Sequence, residues 1–129
     1  MSQHFQKLVD AAKNQPEPQR LLMLFVNASQ ENKAKKKRSR GTINPVMCVD
    51  KLPEELTTFT NLIKEADNIS SEWNMVLFAG LNGSDGKAPT TEDADPLLNR
   101  MANDVAMGQD LARYFILDRK GNQIQVTSD

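Results

Sequence analysis

A chain of 129 residues with 39% apolar and 26% charged side chains is long enough to bury one core and too apolar for a disordered polymer. Sixteen basic residues against seventeen acidic ones leave a net charge of −1, which excludes a global field steering the molecule towards nucleic acid or an anionic membrane. The single cysteine, Cys48, and single histidine, His4, exclude an intramolecular disulfide and a four-ligand structural zinc site, and they suit a reducing compartment such as the cytoplasm.

Phe5, Leu8, Val9 and Ala12 fall at helical spacing, so Ser2 to Lys13 reads as an amphipathic helix with Ser2 as N-cap. Its polar residues interrupt any signal-peptide run, and no membrane partner is expected. Pro16 and Pro18 stop the helix. Leu21 to Val26, the longest apolar run, is far below the roughly 20 residues that span a bilayer and reads as a strand covered on both faces. Asn27 to Asn44 holds one clear apolar side chain, Ile43, and a dense basic run, so an exposed loop is expected at about 28–44.

Pro45 to Val49 reads as a second strand, with Pro45 at its start and Cys48 in the core. Pro53, Glu54 and Glu55 open a helix that Leu56, Phe59, Leu62, Ile63 and Ala66 continue on one face. Trp73 to Ala79 is a third strand, with Trp73 expected to pack over an edge. Gly80 to Ala88 reads as a loop. A helix then starts at either Thr90 or Asp95-Pro96, buries Leu98, Met101 and Val105, and stops at Gly108. Leu111 to Leu117 is a fourth strand, and Asp118 to Asn122 turns into a last strand around Ile124 and Val126. Met23, Met47, Met75, Met101 and Met107 all fall in these elements and are expected to fill the core.

The expected fold is therefore α/β or α+β: one compact domain over 1–129 with about five strands in a mixed sheet, some of them paired in parallel. About three helices and a C-terminal β-hairpin complete it.

The strongest local signal is Lys33, Lys35, Lys36, Lys37, Arg38 and Arg40, six cations in eight positions that could neutralise the phosphates of a nucleic acid or another anionic ligand. The rest of the chain then carries 16 − 6 = 10 basic against 17 acidic residues, or −7. No aromatic residue interleaves with the cations, so base stacking is not expected. The second signal is the stretch Gly80 to Lys87 between a strand and a helix, where backbone amides around Gly83 and Gly86, together with Lys87, could cradle a phosphate. Its spelling departs from a P-loop at Leu81 and Ala88, and from a calcium-binding EF-hand loop at Leu81 and Gly83. No metal or cofactor is expected. Neither Cys48 nor any serine stands beside a base, and no carboxylate pair is spaced for acid–base work, so the chain leans away from enzymes.

Tyr114 to Asn122 is similar to the closing hairpin of thioredoxin-like proteins, but the Cys-x-x-Cys pair of that family has no counterpart here. Three further stretches, Gln15 to Leu22, Val46 to Leu56 and Gly86 to Thr90, resemble a family of short proteobacterial proteins. Many members of that family carry the name ribonucleotide reductase subunit alpha. A reductase large subunit needs several hundred residues, a thiyl-forming cysteine and a reducing cysteine pair, so a chain with one cysteine cannot perform that catalysis. The expectation is a non-enzymatic binding or adaptor module with an anion-binding basic loop, which two copies could extend by pairing through an open sheet edge. The alternative is a nucleotide- or phosphate-binding protein using residues 80–87.

Overall fold

The computed structural model describes residues 3–29, 42–108 and 111–124, and the run Leu21 to Val26 lies at its centre. All six side chains are buried and leave the strand to alternate sides. Leu21, Met23 and Phe25 join one core, and Leu22, Leu24 and Val26 join a second. An apolar run without alternation therefore reports two covered faces.

The elements are α1 (Gln3–Lys13), β1 (Gln19–Ser29), β2 (Thr42–Lys51), α2 (Phe59–Ile69), β3 (Met75–Asn82), α3 (Thr91–Met107), β4 (Phe115–Asp118) and β5 (Gln123–Ile124). The five strands form one sheet in the order β2-β1-β3-β4-β5, and each neighbouring pair is antiparallel. The strand and helix numbers and the closing β4–β5 hairpin agree with the expectation, and the result is a single compact α+β domain. The parallel pairing expected of a mixed sheet does not occur among the described strands. β2 and β3 do run in the same direction, as strands joined through a helix tend to do, but β1 lies between them and pairs antiparallel with both.

Helices α1 and α2 cover one face, where Phe5 packs against Phe59 at 5.3 Å and Phe78 at 6.0 Å between ring centroids. Leu98, Met101 and Val105 of α3 cover the other face, with Leu111, Tyr114 and Ile116 beside them. The short strand after Leu111 begins later than its composition suggests, because Leu111–Arg113 forms a 3-10 turn first.

Two other boundaries move for local reasons. The helix expected from Pro53 is only a 3-10 turn over Pro53–Glu55, closed by the Glu55 carboxylate accepting the Leu52 amide at 2.7 Å. The chain then extends through Leu56, and α2 begins afresh where Thr58 accepts the Asn61 amide as N-cap. Pro45 is not at a strand start but inside β2. The register shifts there, so that Val46 is an extra residue bulged against Phe25 and Val26. A bulge on an edge strand is where a proline can be accommodated.

Candidate functional site

The stretches Gln15 to Leu22, Val46 to Leu56 and Gly86 to Thr90 lie far apart in sequence, yet they meet at one end of the sheet. β1 starts there, β2 and β3 end there, and α3 starts there. At their junction Arg20 donates from Nη1 to Asp50 Oδ2 at 2.6 Å and from Nε to the Pro89 carbonyl at 2.6 Å. The Thr91 hydroxyl donates to the same Asp50 oxygen at 2.9 Å. With both ion-pair side chains only 14% exposed, this is a half-buried tie between β1, β2 and the start of α3. Beside it Gln19 is buried and donates to the Glu17 carbonyl and to Asn82.

A shallow groove of about 300 Å³ opens next to this tie, between the end of α1, the Pro16 to Gln19 segment and the Leu52 to Glu54 turn. Its walls hold amide, carboxylate and proline groups together with Lys13. Among the described residues no three His, Cys, Asp or Glu side chains gather in a way that could hold a metal ion. Sequence reasoning did not single out Arg20, Asp50 or Thr91. Their one visible signal is a charge at an end of each apolar strand, and only the register, which sets Leu22 opposite Asp50, brings Arg20 and Asp50 to diagonal positions within reach of one another.

The glycine-rich stretch is a tight hairpin turn rather than an open cradle. Asp85 and Gly86 both have positive φ, 54° and 75°, and Ser84 and Lys87 exchange backbone hydrogen bonds at 3.0 and 2.9 Å. That is the type I′ turn for which Asp-Gly is a preferred dipeptide. The Gly83 amide donates to the Pro18 carbonyl at 2.7 Å, and the Gly86 amide to Glu17 Oε1 at 3.0 Å. Each of the four amides from Gly83 to Lys87 other than that of Asp85 thus already has an acceptor. A methyl group on Gly83 would fall onto the Lys87 carbonyl oxygen and within 2.8 Å of the Pro18 carbonyl, which is why this position needs glycine. Lys87 is exposed.

The cations Lys33, Lys35, Lys36, Lys37, Arg38 and Arg40 lie outside the described residues. The strand residues that flank their segment are placed: Ser29 pairs with Thr42 at the far end of the β1–β2 ladder, away from the Arg20–Asp50 tie.

Three other expectations change. Cys48 is exposed rather than buried, because β2 is an edge strand. Met107, at the last turn of α3, is 61% exposed. Trp73 is buried rather than draped over an edge: its indole donates to Asp67 Oδ1 at 3.0 Å, its ring lies edge-on to Phe25, and the Arg119 guanidinium stacks 4.1 Å from the ring centre. Asp67 also accepts from Arg119 at 2.7 Å, so this cluster is satisfied within the chain. Set against known protein families, curated proteins and solved structures, the chain matches none.

Proposed function

We propose that this protein is a non-enzymatic binding or adaptor module that meets an anionic partner, nucleic acid foremost, through the cationic segment Lys33 to Arg40. The observation that carries this reading is charge segregation: six cations within eight positions, on a chain whose remainder has a charge of −7. An acidic body discourages non-specific adhesion elsewhere, while a local run of cations binds phosphates and releases their counterions. The flanking pair Ser29–Thr42 ties both ends of the segment to one end of the sheet, which supports a binding element carried on a rigid base. The polar clusters around Arg20, Asp67 and Asp104 have their hydrogen bonds made within the chain, which supports a structural role for them.

A phosphate or nucleotide site at residues 80–87 has less support, because the amides of Gly83, Ser84, Gly86 and Lys87 already donate within the chain. No helix among the described residues is long and apolar enough to cross a membrane. The exposed free thiol of Cys48 suits a reducing, cytoplasmic setting in the reading proposed here.

The test is titration of labelled single- and double-stranded nucleic acid with the intact protein and with a variant carrying Ser at Lys35, Lys36, Lys37 and Arg38. The reading expects binding by the intact chain and loss in the variant. Absence of binding by both at low salt would overturn it.

A further inference from the structure

The β1–β2 ladder outlasts the β1–β3 ladder. β1 pairs with β2 as far as Ser29–Thr42 but with β3 only as far as Val26–Met75, so Asn27, Ala28 and Ser29 extend past the start of β3. These residues are the root from which the chain continues towards Lys33, five positions after Ala28. A two-stranded ribbon is marginal by itself in water and needs a further partner to hold it.

Asn74, the residue just before β3, supplies that partner with its side chain. Its backbone amide donates to the Val26 carbonyl at 2.9 Å. Its side-chain amide then meets Ala28 twice: the Ala28 amide donates to Oδ1 at 2.8 Å, and Nδ2 donates to the Ala28 carbonyl at 2.9 Å. Such a reciprocal pair is what one strand residue gives another in an antiparallel ladder, so a side chain carries the pairing of β1 one step beyond the main chain of β3. Asparagine suits this place because its amide holds a donor and an acceptor in one plane, as a peptide does, whereas aspartate lacks the donor. Beside it, Asn27 Nδ2 donates to the Glu72 carbonyl at 2.5 Å. Asn74 and Ala28 are both half-buried, which shields their bonds from competing water.

We infer that Asn74 is a positioning residue for the cationic segment, holding the root at Ala28 so that the cations are presented from a base already ordered before a partner arrives. The inference rests on the anionic-partner reading above. Ordering a loose element opposes association, so a root held in advance lowers the cost of binding. A change at Asn74 leaves all six cations in place, and with them the number of phosphates they can neutralise and the dependence on salt.

The experiment titrates a labelled DNA duplex with the intact protein, Asn74→Ala and Thr90→Ala at several salt concentrations, and follows amide hydrogen exchange at Ala28 in all three. Thr90→Ala removes a side-chain hydrogen bond to a backbone amide at the Arg20–Asp50 end of the sheet, so it controls for a loss of stability alone. The expected result is that Asn74→Ala exchanges the Ala28 amide faster and binds about three- to tenfold more weakly with an unchanged salt slope, while Thr90→Ala binds like the intact chain. Unchanged exchange at Ala28, equal affinity of Asn74→Ala and the intact chain, or an equal loss in both variants would each overturn the inference and leave the nucleic-acid reading standing. Absence of binding by the intact chain at low salt would overturn that reading and this inference with it.

Discussion

Tyr114 and Asp104 show how much one side chain can commit the fold. The Tyr114 hydroxyl donates to Asp104 Oδ2 at 2.5 Å, and both residues are buried. Burial first, and then the hydrogen bond and charge of Asp104, push the phenol up from 10.0 to about 12. Because the folded state holds this proton more tightly than the unfolded chain, its stabilising effect is whole below pH 10 and is lost as pH rises towards 12. Alkaline unfolding curves should therefore show a loss on the order of 2 kcal/mol across that window. Tyr114→Phe should remove this alkaline step and, at neutral pH, cost about 1–3 kcal/mol by leaving a buried carboxylate without its donor. Urea denaturation at pH 7 and at pH 11 checks both. Two glycines give a paired prediction by the same measurement. Gly83→Ala should cost more than Gly86→Ala, because the first drives a methyl group into two carbonyls while the second has positive φ but open space around it. The Gly86 penalty is expected near 1–2 kcal/mol. Single residues were the least legible part of the sequence. Cys48 reads as core because an apolar neighbourhood looks the same on an edge strand as on a central one, and Met107, two positions after Val105, lies on the side of α3 away from the buried stripe of Leu98, Met101 and Val105.

Elements were more legible, since periodicity and caps act locally. The start of α3 at Thr90 carries a full capping box, with the Asp93 amide bonded to Thr90 Oγ1 at 3.1 Å and the Thr90 amide to Asp93 Oδ2 at 2.9 Å. Thr90→Ala should cost about 1 kcal/mol, read from the thermal midpoint. Gly108 ends the same helix in the left-handed conformation its position suggests. The misread boundary at Leu56 to Thr58 has a comparably local cause: Leu56, Phe59 and Leu62 keep apolar spacing through a segment whose backbone is extended at Leu56 and Thr58, so side-chain periodicity survives a break in the helix. The hairpin turn at Ser84 to Lys87 was visible in the dipeptide Asp85-Gly86 but was outweighed by the density of glycines around it. Strand direction was not legible. Two covered faces suggested parallel pairing, yet β1 receives helices on both sides while pairing antiparallel with both neighbours. The tie from Arg20 to Asp50 and Pro89 joins these elements at one corner, and Asp50→Asn is expected to lower stability by about 1.5–3 kcal/mol in urea titration.

At the scale of the whole molecule, the sequence carries its plainest message in charge rather than in pattern. The composition is nearly neutral, yet that neutrality is the sum of a cationic segment and an acidic body, and only their separation distinguishes this chain from an ordinary small domain. The register of β1 and β2 adds where the flanking residues of that segment sit, at the end of the sheet remote from the Arg20–Asp50 corner. Strand order could not be read in advance, because periodicity reports which face a residue occupies and not which neighbour it has. The site residues followed the same rule: the cations were evident from composition alone, whereas the Arg20, Asp50 and Thr91 cluster depends on register. The most direct test of the account is the salt dependence of nucleic-acid affinity for the intact protein and for the variant with Ser at Lys35, Lys36, Lys37 and Arg38. The account predicts that affinity falls steeply with salt for the intact chain and that the logarithmic slope shrinks in magnitude by up to about 3–4 in the variant. Equal affinity and equal slope for the two proteins would contradict it.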